Sequence, residues 1–581
     1  MTYEHRTYIA NVLVIGSGGA GLRAAIAAHQ AGSDVVVVGK RLKKDAHTVL
    51  AAGGINAVLG SRDPDDTWQQ HFADTLKEGY YLSDPRTVEL MVRDAPARVL
   101  ELADWGCDFA RTDDGKLDQR YFGAHKYRRT CYAGDYTGRA ILYTLADKAA
   151  ELGIAIHEHQ YVSTLLTTNN RCFGAMTFDI TTGERTVYLA DAVILAAGGH
   201  TRIWRRSSSR RDENNGDGMY LALAAGAELA DMEMVQFHPT GMVSPEDMAG
   251  TLVTEAVRGE GGHLLNNQGE RFMARYDAKR MELSTRDRVA LANYTEIQEG
   301  RGGPNGGVFL DISHQPKELI LEKLPRMYRQ FLETQMLDIS KEPMEVAPTA
   351  HYSMGGVVVD PDTHATRVEG LYAAGEVTSG LHGANRLGGN SLGEILVFGK
   401  IAGEQAARYS AEMEVQYRSN AAIRAAHDDL NSLMKPGDEM VRPMQRELRN
   451  VMWNNCGVVR EDGRLRKALE QIAELRARAA QADVRPTSEG FQDLAIALDL
   501  RASLMSAEAS VLGALERRES RGAHSRSDYP ELDPALQVNM VNALDASGRL
   551  TVARRPIEAV SQELQNWLDE DELTVAGRLL E

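Results

Sequence analysis

The segment Val12-Leu-Val-Ile15-Gly16-Ser-Gly18-Gly19-Ala20-Gly21 restricts the possible folds of this chain more than any other. Apolar, β-favouring residues run into a cluster of glycines. An Ala-rich stretch of helical character follows as far as Gln30, with Gly32 as its stop, and Val35–Val38 then reads as a second strand. A glycine turn between a strand and a helix lets backbone N–H groups approach a pyrophosphate, whose charge is stabilised at a helix N-terminus. An ordinary surface turn explains an isolated match to this pattern, but not one set inside a strand–turn–helix–strand unit. A dinucleotide-binding domain is therefore expected at the start of the chain. The acidic residue that grips the adenosine ribose in an NAD fingerprint is missing, because the second strand ends in Gly39-Lys40.

Further buried strands ending in glycine turns occur at Ala192-Val-Ile-Leu-Ala-Ala-Gly198-Gly199 and at Gly370-Leu-Tyr-Ala-Ala-Gly375-Glu376. Between them, over roughly 230–350, the chain is less regular and rich in Gly, His and Arg, which reads as a domain inserted into the first. From about 402 to 525 helical periodicity dominates, as in Lys467-Ala-Leu-Glu-Gln-Ile-Ala-Glu-Leu475, and the last fifty residues are mixed. A length of 581 residues calls for roughly two to four domains. The net charge of −17 argues against a general nucleic-acid binder. No apolar run reaches membrane-span length, and with a strand read from Ile9 no targeting segment is expected. Cys107, Cys131, Cys172 and Cys456 are isolated, so no metal or disulfide frame is expected, and a metal centre for electron transfer would belong to another chain.

Chargeable groups recur in glycine-punctuated settings. They are His238 in Gln236-Phe-His-Pro-Thr-Gly241, Arg258 in Thr254-Glu255-Ala-Val-Arg258-Gly-Glu-Gly-Gly262, and Arg286 in Met281-Glu-Leu-Ser-Thr-Arg286. His351 stands in Pro348-Thr-Ala-His351-Tyr-Ser-Met-Gly-Gly356 and Arg386 in His382-Gly-Ala-Asn-Arg386-Leu-Gly-Gly-Asn-Ser391. Singly, each arginine reads as a solvated surface residue. Together they suit a small dianion, since the guanidinium fork matches a carboxylate in bidentate fashion. His47, in Lys44-Asp-Ala-His47-Thr-Val-Leu-Ala-Ala-Gly53-Gly54, sits among small residues that suggest backbone packed against something flat; a loop histidine with a local hydrogen bond is the plainer alternative.

In this order the motifs resemble the flavoprotein subunit of succinate dehydrogenase and fumarate reductase, from about Ile9 to Asp528, including Arg517-Arg-Glu-Ser-Arg-Gly-Ala-His524. The resemblance implies an α/β fold: a Rossmann-like FAD-binding domain (1–230 and 351–405) with an inserted α+β capping domain (231–350), then a helical domain (406–528) and a small C-terminal domain (529–581). It assigns FAD to Gly16, Gly18, Gly19, Ala20 and Gly21, with Lys40, His47, Thr48, Ala52, Gly53, Gly54, Asp217, Glu376, Arg386, Ser391 and Leu392 as further cofactor contacts. A small hydroxyl residue is usual at Gly39, so the ribose contact is expected either to be lost or to shift to Lys40. His238, Thr254, His351 and Arg386 would hold the carboxylates of succinate, with Phe122 packed nearby. One substrate carbon would give a hydride to the flavin and its neighbour a proton to Arg286, with Glu255 and Arg258 as the relay to solvent.

His47-Thr48-Val49 is similar to the motif whose histidine is bonded to the flavin's 8α carbon, although Asp45-Ala46 stands where Arg-Ser is usual. L-aspartate oxidase, which binds FAD without that bond and lacks a histidine there, is the nearest alternative. A non-catalytic flavin-binding scaffold is another, and it should have lost clamp residues that this chain keeps. The expected activity is succinate oxidation, with fumarate reduction as the reverse alternative. The expected partners are an iron–sulfur subunit with, beyond it, membrane anchor subunits and a quinone. The expected location is the cytoplasmic face of a bacterial inner membrane.

Overall fold

A computed structural model describes residues 4–415, 418–486 and 490–568. The end of the expected C-terminal domain, 569–581, lies outside the described residues. At the centre is a seven-stranded sheet. Arg6–Ile15 lies between Val35–Val38 and Arg185–Leu195, parallel to both, with Val12 opposite Val35 on one side and Ala192 on the other. Ala155–His157 extends the sheet beyond Val35–Val38, and the short strand Leu371–Ala373 joins Arg185–Leu195 in parallel. The antiparallel strands Arg171–Asp179 and Gln160–Thr168 close the other side. Val12, Leu13 and Val14 are fully buried, as expected of a strand covered on both faces.

Two helices cover one face. The first, Gly19–Gln30, presents Ala20, Ala24 and Ala27 to Asn390–Glu412. The contact is so close that a Cβ on Gly399 would lie 2.8 Å from the carbonyl oxygen of Ala20, and one on Gly403 2.2 Å from that of Ala24. Small side chains are therefore the condition for this pair to meet.

The irregular stretch forms an antiparallel four-stranded sheet, ordered Val235–Met242, Met344–Ser353, Val308–Asp311, His263–Leu265. Helix Arg286–Gln298 packs against it over a separate core that includes Met242, Leu264, Val289, Leu310 and Phe331. Helices Asn420–Leu433, Val441–Asn455, Asp462–Ala479 and Gln492–Glu516 share a third core with Leu448, Ile472 and Leu504. The hairpin Val538–Leu544 and Leu550–Pro556 completes a further sheet by pairing with Leu229–Ala230. Among the described residues no helix is long and apolar enough to cross a membrane.

Candidate active site

One cleft runs from the glycine turn to the inserted sheet, with about 1910 Å³ of atom-free space when its open mouth is included. All the site residues expected from the sequence line it except Gly21 and Arg258. Gly21 instead packs the helix on the strand, since a Cβ there would lie 1.8 Å from the carbonyl oxygen of Gly16. Gly16 has φ of 116°, and its Cβ would fall 2.1 Å from the carbonyl oxygen of Ala196. Only glycine permits that turn.

The turn delivers the chain to the N-terminus of Gly19–Gln30, where no side chain caps the helix and no acidic residue occupies the first turn. Gly19 N–H donates to Thr48 Oγ1 at 3.1 Å, fixing the loop that carries His47. Lys40 Nζ lies 3.0 Å from Asp217 and 3.4 Å from Asp499. Burial opposes its charge, but the two carboxylates outweigh it and hold the ammonium above its usual range. Asp217 keeps Oδ1 buried and without a partner, an acceptor for a sugar hydroxyl that the second strand does not supply. The uncapped helix start, the glycine cradle and this orphaned oxygen fit the pyrophosphate and a sugar hydroxyl of FAD. Glu376 follows the strand Leu371–Ala373 and accepts from Ser353 N–H at 3.1 Å. Burial raises its pKa. Helix Asn390–Glu412 starts beside the cleft at Ser391 and Leu392, with no acidic residue in its first turn, so its positive end suits electron-rich flavin.

His47 opens a short 3₁₀ turn, His47–Leu50, and its Nδ1 lies 3.2 Å from Glu213 Oε2. Burial disfavours the imidazolium, but the hydrogen bond and charge of Glu213 outweigh it, so the pKa of His47 is raised. Ala52, Gly53 and Gly54 continue this wall, and Phe122 closes on it: a Cβ on Gly53 would lie 2.3 Å from the Phe122 ring.

The far end of the cleft belongs to the inserted sheet. His238 on Val235–Met242 and His351 on Met344–Ser353 meet edge to face, ring centroids 5.3 Å apart. His351 Nδ1 is 2.9 Å from Ser208 Oγ. Burial and the neighbouring positive charges push both imidazoles well below their usual pKa, so both are neutral at pH 7. Arg286 begins its helix, with Nε donating to Glu255 at 2.8 Å and Nη1 to Gln236 at 3.1 Å. Glu255 also accepts from Gly123 N–H at 3.1 Å. Burial would raise its pKa, but Arg286 and Arg258 outweigh that and hold it at about 2. Arg258 is buried behind Glu255, its Nη2 3.8 Å from that carboxylate, with neither Nε nor Nη2 hydrogen-bonded. Arg386 lies over the Tyr352 ring at 4.5 Å and donates to Ser391 at 3.1 Å, leaving Nε without a partner. Burial and the charge of Arg286 lower its pKa to about 10. Thr254 lines the same wall.

The cleft thus gathers two buried guanidinium groups and two neutral imidazoles, with one carboxylate already committed to Arg286. Buried cations with unused donors call for an anionic ligand, and a small dianion meets that need. Sequence reasoning missed Gln236, Ser208, Tyr352 and Glu213. Gln236 was the most accessible, since it opens the same motif that holds His238.

The family model for the FAD binding domain matches residues 11–392, and that for the fumarate reductase flavoprotein C-term matches 445–566. A polypeptide of the CoM/CoB fumarate reductase of Methanothermobacter marburgensis is 44% identical over 532 residues, covering 91% of this chain and 96% of that protein. The succinate dehydrogenase flavoprotein subunit of Rickettsia bellii is 36% identical over 575 residues, covering 94% and 95%. Mycobacterium smegmatis Sdh1 in complex with UQ1 is similar in structure, with a TM-score of 0.88 at 40% identity and 96% of each chain covered.

Proposed function

Because this chain belongs to the succinate dehydrogenase and fumarate reductase flavoprotein family, and is an FAD-dependent oxidoreductase, we propose that it interconverts succinate and fumarate. The observation that carries this reading is the meeting of Arg286, Arg386, His238 and His351 at one end of the FAD cleft. Bound there, FAD supplies the acceptor for the substrate's hydride. His238, Thr254, His351 and Arg386 hold the two carboxylates, and such orientation contributes several kcal/mol to lowering the barrier. Arg286 gives its Nε proton to Glu255, to which that N–H already points, as it takes the proton from the neighbouring carbon, with Arg258 behind Glu255 as the next group. Phe122 and Tyr352 keep the wall beside the reacting carbons apolar and exclude water.

Succinate oxidation is the forward direction in this reading. Fumarate reduction is the second reading, favoured by the 44% identical relative named for it and by arginine's character as a resting proton donor. Electrons pass to or from an iron–sulfur subunit, and through it to membrane anchor subunits and a quinone at the cytoplasmic face of the inner membrane. His47 is the residue bonded to the flavin, a bond that raises the flavin's potential and sets the chain apart from L-aspartate oxidase.

The test is acid precipitation of the purified protein together with succinate-dependent dye reduction. Yellow colour should stay with the pellet, leave it in His47→Ser, and accompany dye reduction in the unaltered chain. Flavin released wholly to the supernatant would reject the bond, and absence of dye reduction would reject the substrate. Voltammetry with succinate and with fumarate reads the direction as the larger of the two currents.

A further inference from the structure

The proposed bond to His47 needs one ring nitrogen held ready, and Glu213 is placed to hold it. Its side chain is 6% exposed and stands beside His47 on the cleft wall. Arg210 grips it twice, Nε to Oε2 at 3.0 Å and Nη2 to Oε1 at 2.5 Å. Arg210 is itself anchored on the loop that carries His47, through Asp45 Oδ1 at 2.7 Å and the Asp45 carbonyl oxygen at 2.7 Å. Asp45 is paired in turn with Arg41. Burial opposes ionisation of Glu213, but His47 and Arg210 outweigh it and keep its pKa below the usual carboxylate range.

An ionised carboxylate only accepts hydrogen bonds, so in the 3.2 Å contact His47 Nδ1 must be the donor. Glu213 also favours the imidazolium, so attachment draws on the neutral fraction of the ring; in that form the proton is fixed on Nδ1 and the lone pair on Nε2, which none of the described residues hydrogen-bonds. We propose that Glu213 is the positioning residue for flavin attachment: it holds the proton on His47 Nδ1 and presents Nε2 as the nitrogen that bonds the flavin's 8α carbon. This rests on the covalent reading above. The Nε2–C8α bond forms as a C8α–H bond breaks. The released proton is matched by one taken up at the flavin ring, which keeps the electron pair. Fumarate, bound in the adjoining site, then takes that pair as a hydride from the flavin, with a proton through Arg286, and becomes succinate. The alkylated imidazole is left as a cation whose Nδ1–H still faces Glu213, which fixes a positive charge against the flavin.

The experiment uses the FAD-loaded protein. Total flavin per chain should be similar in the unaltered chain and in Glu213→Gln, whereas the acid-stable fraction in Glu213→Gln falls at least about tenfold. In the flavopeptide released by proteolysis of the unaltered chain, NMR should correlate the C8α methylene with imidazole Cδ2 and Cε1, the pattern of an Nε2 link. Correlation with Cγ and Cε1 instead, or full acid-stable flavin in Glu213→Gln, overturns the proposal and leaves the covalent reading intact. No acid-stable flavin in the unaltered chain overturns the covalent reading itself. Should Glu213→Gln fail to fold, Glu213→Ala loaded with FAD with and without added formate decides: formate restores the carboxylate and should raise the acid-stable fraction, and no response overturns the role of Glu213.

Discussion

At the scale of single residues, the site's chemistry turns on Arg286 and Glu255. Lysine keeps the charge of Arg286 but not the fork that reaches Glu255 and Gln236 together. Arg286→Lys is therefore expected to retain bound FAD, read by its visible spectrum, while succinate turnover falls about 10²–10⁴-fold. Glu255 has a folded pKa of about 2, below the ordinary 4.5, so it contributes stability that is present above pH 4.5 and lost as pH falls toward 2. Glu255→Gln should accordingly flatten the dependence of stability on pH between 4.5 and 2, as read by urea midpoints across that window. The clamp residues were legible in the sequence because each sits in its own glycine-punctuated motif. Glu213 was not: it lies 166 residues from His47, in a polar loop with no pattern to mark it.

At the scale of elements, the contact that positions the glycine turn is that between Gly19–Gln30 and Asn390–Glu412. Its closeness depends on Gly399 and Gly403, so a larger side chain must push the helices apart. Gly403→Val is expected to cost about 1–3 kcal/mol, the range of overpacked cores, and to loosen FAD, which a thermal melt followed by flavin fluorescence measures. The strand and helix after residue 12 were readable from periodicity alone, as was the helix around Lys467–Leu475. The tight helix pair was not, because what makes those glycines necessary is a neighbour distant in sequence. The pairing of Val538–Leu544 with Leu229–Ala230 escaped for the same reason.

At the scale of the whole molecule, Arg517 ties the last long helix to the inserted sheet's root. It is fully buried among Asp231 at 3.1 Å, Glu233 at 2.8 Å and Glu519 at 3.3 Å. Removing the cation strands those carboxylates in a dry interior. Arg517→Met should therefore lose about 3–5 kcal/mol against urea, and adding Glu233→Gln should recover part of it. The discontinuous cofactor sheet also governs the timing of assembly. Its glycine turn leaves the ribosome before the whole inserted unit, and Leu371–Ala373 and the helix from Asn390 that complete the cleft emerge only after it. Long-range closure of this kind is slow to form. The nascent chain must therefore carry half a flavin site while the intervening residues are made, and the cofactor enters as a late keystone rather than an early template.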